Sequence, residues 1–148
     1  MLWIKIDAFF YVSLNDNIMK VKIPSIIENI SVVESFIDNA KEKLNFNDNV
    51  YGNILIAVSE AVNNAIVHGN KENKNKKVEI SLLHSKNKIS FLVTDEGGGF
   101  DDTKIPDPTN PKNTTKIKGR GVFLMKNLSD KIIFEGGGSR VQMVFNLF

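Results

Sequence analysis

Residues 59–69 read SEAVNNAIVHG, and the fold turns on how this stretch is read. At about 100° per residue, Tyr51, Ile54, Leu55, Val58, Ala61, Val62, Ala65 and Ile66 fall on one stripe of a helix, which makes that side a core face. Glu60 and Asn64 lie about 40° apart and roughly opposite the stripe. A wet face would account for such a polar pair. However, Ile56, Ala57 and Val67 share that outer half, where an exposed helix carries Lys and Glu. The pattern therefore predicts that something covers the second face. A carboxylate and a carboxamide one turn apart under a cover suit two jobs. Glu60 can take a hydroxyl proton as a base, and Asn64 can offer Mg²⁺ a hard oxygen ligand, since Mg²⁺ keeps several waters and phosphate oxygens of its own.

Working outward, this helix starts at Asn47 or Asp48, both good N-caps, and stops at Gly69, a good C-cap residue. Upstream, Ile30, Val33, Ile37, Ala40 and Leu44 recur every three or four residues and predict another amphipathic helix. Before it, KVKI (20–23) alternates as a half-buried strand, and Pro24 ends it. Downstream, Val78–Leu83 and Ile89–Thr94 read as a hairpin joined by HSKNK. Thr103–Lys118 holds three prolines and little apolar content, and reads as a mobile loop. Gly121–Leu128 has helical spacing, and strands Lys131–Glu135 and Arg140–Leu147 follow, joined around GGG. The order β-α-α-β-β-α-β-β predicts an α+β, two-layer sandwich whose sheet is mixed and mostly antiparallel, with helices on one face. Residues 1–19 stand apart as an N-terminal extension, either an extra strand or upstream sequence from an early start.

The 148 residues, 42% of them hydrophobic, suffice for one domain with a real core. The absence of cysteine removes disulfides, thiolate metal sites and cysteine nucleophiles, and suits a reducing compartment. The longest apolar run near the start, Ala8–Val12, is too short for a secretory or membrane segment, so a cytoplasmic, soluble chain is expected. A net charge of +2 gives no field of the size nucleic-acid binding needs. The basic run Lys71–Lys77 has no interleaved aromatics and reads as a solvated connection.

Two further stretches add chemistry. In DEGGGFD (95–101) an acidic residue at a strand end is followed at once by three glycines. A tight loop needing positive φ explains them. Equally, Asp95 could accept a hydrogen bond from an exocyclic amine such as the N6 of adenine, with Gly97 and Gly99 letting the backbone approach base and sugar. KGRG (118–121) precedes the predicted helix, where free backbone N–H groups and the helix dipole favour phosphate. A flexible hinge is the alternative. No Walker P-loop pattern occurs.

Taken in order, SEAVNNAIVHG, VTDEGGGFD, IPDPTNP and GRGVFLMKNLSD resemble the histidine-kinase-like (GHKL, Bergerat-fold) ATPase superfamily, and most of all the bacterial anti-sigma factor serine/threonine kinases of partner-switching systems. The resemblance spans about Lys20 to the C-terminus. It implies ATP and Mg²⁺ as ligands, Glu60 as the base, Asn64 as the metal ligand and Asp95 on adenine, with the nucleotide covering the second face of the helix and Ile56 and Val67 backing its pocket. Asn63 would line the same pocket, and Gly97, Gly99, Gly119 and Gly121 would shape it and the phosphate cradle, with Arg120 among the nucleotide contacts. Lys116, or else Lys118, stands where the family's lid places a basic residue near the terminal phosphate. The implied partners are a STAS-domain anti-sigma factor antagonist, phosphorylated on serine or threonine, and a sigma factor. A homodimer is common in that family, and the edge strand near Met1 is one candidate interface. His68 is expected to be structural. Two other readings remain open, a nucleotide-gated binding module without phosphoryl transfer and a detached catalytic domain of a sensor histidine kinase.

Overall fold

The computed structural model describes residues 2–6, 8–13, 18–97 and 117–147, with residues before 18 and residues 117–118 described by their backbone alone. Seven strands form one sheet: β1 (Leu2–Ile6), β2 (Ala8–Ser13), β3 (Ile18–Pro24), β4 (Lys77–His84), β5 (Lys88–Thr94), β6 (Lys131–Glu135) and β7 (Arg140–Asn146). Their order across the sheet is β1-β2-β3-β4-β5-β7-β6, and every pairing among the described residues is antiparallel. The expected parallel component is therefore absent from these pairings. β5 and β6 do run the same way, but β7 lies between them. The N-terminal segment supplies the two strands at one side of the sheet, β1 at the edge and β2 inside it, with Phe10 paired to Val21 and Tyr11 to Lys20 in Cα register.

Period-two alternation aims one face of the sheet at the core. Register places Val21 beside Ile80, Ile80 beside Val93 and Val93 beside Val141, and all four are buried. The next row runs Leu82, Phe91 and Met143, buried as well. Phe91 meets Phe145 edge-on, ring centroids 6.2 Å apart at 82°, a geometry aromatic quadrupoles favour. On the other face stand Lys20, Lys22, Glu79 and Arg140, with ion pairs from both lysines to Glu79 at 3.9 and 3.5 Å.

Three helices cover the core face. α1 (Ile30–Leu44) buries Val33, Phe36, Ile37 and Ala40, the stripe its spacing predicts. It ends where Asn45 turns into the left-handed region at φ 52°, which asparagine tolerates better than most residues. α2 (Asp48–Asn64) starts on the Asn47 cap, whose side chain accepts the Val50 N–H at 2.9 Å. It continues as a π-helical turn over Ala65–Gly69. By length and composition the helix Asp48–Gly69 could cross a membrane, since an 18-residue stretch of it has a mean hydropathy of 1.3. Its packing gives another reason for that composition: Ile54, Val58, Val62 and Ile66 are fully buried on one side, and α3 (Ile117–Leu128) packs along another.

The helix ends at Gly69 as expected, its turn closing on Asn70 at φ −88°, and positive φ comes only at Lys71 and Glu72. One expectation about these helices needs correction. α3 already includes Lys118–Gly121 in its first described turns, so those glycines lie inside the helix rather than ahead of it.

Candidate functional site

The C-terminal end of α2, the ends of β5 and β7 and the side of α3 converge on one cleft of about 370 Å³, a volume that includes space open to solvent. α2 and its π turn contribute Ala61, Asn64, Ala65, His68 and Gly69. β5 contributes Val93, the residue just past its end is Asp95, and Met125, Gly138 and Val141 close the other sides. Most walls are thus short or flat apolar side chains, with a carboxylate, a carboxamide and an imidazole as the polar groups. That is the usual make-up of a small-molecule site.

Asp95 is held from several directions. Its backbone N–H donates to the Ser139 carbonyl at 2.9 Å, tying the end of β5 to the loop before β7. Its Oδ1 accepts the Gly97 N–H at 2.7 Å. Its carboxyl group fills the space where a β-carbon on Gly69 would stand, and a β-carbon on Gly97 would collide with the Gly69 carbonyl. The two glycines thus permit the end of α2 and the turn after β5 to interleave at van der Waals contact. A π turn adds one residue to the helical repeat and is a frequent device at functional sites. Here it carries His68 and Gly69 to the cleft.

Glu60 and Asn64 meet the start of α3. A β-carbon on Gly121 would lie 2.9 Å from Glu60 Oε2, 3.3 Å from Asn64 Nδ2 and 3.5 Å from Asn64 Oδ1. Gly121 thus lies over Glu60 and Asn64, so α3 covers this part of the outer face of α2, where a nucleotide was expected. Asn64 is only 6% exposed, and its Nδ2 has no hydrogen-bond partner among the described residues. A buried carboxamide with an unpaired end is costly unless a ligand completes it. Because the two ends exchange by a half-turn of the terminal torsion, the same place can present the oxygen.

Other sequence-predicted residues fall elsewhere. Asn63 is half-buried and does not line the cleft, because one helical step turns it about 100° from Asn64. Ile56 is 47% exposed and Val67 half-buried, and neither backs the cleft, which is closed by Ala61 and Ala65 instead. Gly97 lies against Gly69 at the rim, and Arg120 is exposed. Gly99, Lys116 and residues 103–116 of the loop lie outside the described residues, while its last two residues begin the described part of α3. Sequence reading passed over Met125, Val141 and Gly138. Only the GGG run hinted at Gly138, whose φ of 98° excludes a side chain without strain.

The family described as histidine kinase-like ATPase domain matches residues 23–145. Serine-protein kinase RsbW of Bacillus subtilis (strain 168) is 30% identical over 124 residues, which cover 80% of this chain and 78% of that protein. Anti-sigma F factor of Geobacillus stearothermophilus is 38% identical over 86 residues, 55% of this chain and 58% of its own length. The anti-sigma F factor of Thermoanaerobacter pseudethanolicus is 39% identical over 97 residues, covering 61% and 66%.

Proposed function

The chain belongs to the histidine kinase-like ATPase family, and on that premise we propose that it is an ATP-dependent serine/threonine protein kinase that acts as a cytoplasmic anti-sigma factor. Its substrate is a STAS-type antagonist, and the unphosphorylated antagonist competes with a sigma factor for it. The relatives' names, serine-protein kinase and anti-sigma F factor, support this reading. The structural observation that carries it is the position of Glu60 and Asn64 side by side beneath Gly121, next to an apolar cleft.

The residues present fit ATP. The slot between Val93, Met125 and Val141 suits a flat base, and Asp95 at its rim is an acceptor for an exocyclic amine. Asn64, buried and with an amide end that has no partner among the described residues, is the residue that would hold Mg²⁺. When bound, Mg²⁺ would neutralise phosphate charge. The first turns of α3 add glycine backbone, which lets phosphate oxygens come close. In the transfer, Glu60 orients a serine or threonine hydroxyl and takes its proton. The hydroxyl oxygen bonds to the γ-phosphorus as the bond to the β–γ bridging oxygen breaks, and ADP departs. This reaction needs positioning and electrostatics more than covalent chemistry.

The deciding experiment measures ATP binding by calorimetry with and without Mg²⁺, then phosphate transfer to the STAS-domain protein encoded in the same genome, for the native chain and for Glu60→Gln. The variant should bind ATP nearly as well as the native chain and transfer no phosphate. Loss of ATP binding in the variant would make Glu60 structural. Native binding without any transfer would make the domain a nucleotide-gated binding module, and acid-labile phosphate on a histidine-bearing partner would mark it as part of a sensor kinase.

A further inference from the structure

Behind the cleft, beyond the residues that touch it, lies a buried polar cluster built on Asn70 and Ser25, which are 1% and 0% exposed. Asn70 Nδ2 donates to Ser25 Oγ at 2.8 Å and to the Lys77 carbonyl at 3.0 Å, while its Oδ1 accepts the Glu96 N–H at 2.7 Å. Ser25 Oγ in turn donates to the Lys76 carbonyl at 2.7 Å, and the Ser25 N–H reaches the same carbonyl at 3.1 Å. The Lys77 N–H closes the ring on Glu96 Oε2 at 2.5 Å. One carboxamide thus uses both N–H groups and its oxygen, and joins the end of β3, the start of β4, the end of the α2 helix and the turn after β5.

We infer that Asn70 is a positioning residue for Asp95, and that the Asn70–Ser25 clamp sets the site's preference for adenine, whose exocyclic amine stands at C6, over guanine, whose amine stands at C2. The inference rests on the reading of Asp95 as the partner of the adenine amine. Glu96 follows Asp95 directly, so fixing the Glu96 N–H fixes the peptide plane from which the Asp95 side chain leaves. The Ser139 carbonyl holds the preceding N–H, at Asp95 itself. The carboxyl group is thereby pinned on both backbone sides while it lies over Gly69, the residue just before Asn70. No other side chain of this type could serve. Aspartate would set an acceptor against the Lys77 carbonyl, and leucine, of similar size, would leave the Glu96 N–H and the Lys77 carbonyl unpaired.

The test compares Asn70→Ala and the milder Ser25→Ala with the native chain. It measures dissociation constants for Mg²⁺–ATP and Mg²⁺–GTP by calorimetry at a temperature where all three are folded, together with urea unfolding. Guanine carries a carbonyl where adenine carries its amine, so the native chain should prefer ATP. Asn70→Ala should weaken ATP about tenfold or more and leave GTP nearly unchanged, so the preference collapses. Ser25→Ala should fall between, and it decides the matter if Asn70→Ala does not fold. Variants that unfold more readily yet keep the native ATP affinity and preference would reduce the cluster to a structural role and overturn the inference alone. A native chain that binds no ATP, or does not prefer it to GTP, would overturn the reading of Asp95 and the inference with it.

Discussion

The carboxyl group of Asp95 occupies the place where a β-carbon on residue 69 would stand. Residues from opposite ends of the chain's central motif thus share one small volume, and the end of α2 and the turn after β5 can adopt their arrangement only because residue 69 is glycine. The site is therefore assembled by tertiary contact, with the helix and the sheet each incomplete without the other.

Gly69→Ala should consequently damage the site more than the fold. The new methyl group must displace the Asp95 carboxyl, an overpacking strain of about 1–3 kcal/mol. ATP affinity should fall by more than tenfold as the carboxylate leaves the base. Calorimetry alongside urea unfolding checks this, and unchanged affinity would mean that Asp95 does not read the base.

Asn64→Ala should separate function from stability in the opposite sense. The carboxamide is buried and its nitrogen finds no partner among the described residues, and a buried unpaired group costs about 1–3 kcal/mol. Removing it should leave unfolding free energy unchanged or raised, while ATP binding becomes insensitive to Mg²⁺. A large loss of stability would show that the amide makes structural contacts in the native protein.

Much of this was open to reading from local pattern. The α2 stripe and the hairpin strands follow from periods of 3.6 and 2, which any window of a dozen residues displays. Glu60 and Asn64 stand out by their conflict with the apolar residues around them, while their roles rest on the family resemblance. What local pattern could not reveal depends on distant neighbours. Gly69 reads as a helix stop, yet its role is to admit a side chain from residue 95. Gly121 reads as a helix start, yet it lies inside α3 because a bare backbone is what fits over Glu60. Ile56 looked like pocket lining because its exposure is invisible in sequence. The Asn70 cluster joins residues 25, 70, 77 and 96, which share no periodicity.

A pH effect should arise at the junction of α1 and α2. Lys41 Nζ stands 2.8 Å from Asp48 Oδ1, and that hydrogen bond, followed by the lysine's charge, holds the Asp48 carboxyl below its usual 3.8. A carboxyl whose folded value is lowered stabilises the fold above its unfolded value, and that contribution is lost as pH falls through the folded one. Lys41→Met should therefore flatten the pH dependence of urea unfolding below about pH 4 and leave its shape near neutrality unchanged. The effect should be small, because the Asp48 side chain is 93% exposed. An unaltered acid limb in the variant would remove the pair from the account of stability.

Gly121→Ala tests whether Glu60 and Asn64, the proposed catalytic pair, depend on the backbone above them. Alanine is the better helix former by about 1 kcal/mol, and the nearest atom to the new methyl group, Glu60 Oε2 at 2.9 Å, is the far end of a flexible side chain. The fold should therefore keep its stability, because Glu60 can swing aside at little cost. Phosphate transfer cannot tolerate that swing, since a shift of about 1 Å in a reacting group can cost about a hundredfold in rate. The expected result is a chain as stable as the native one, with ATP affinity within a few-fold and transfer to the STAS-domain substrate reduced by at least tenfold. Transfer at the native rate would mean that Glu60 keeps its reach from a displaced position, and Gly121 would then serve only the packing of α3 on α2.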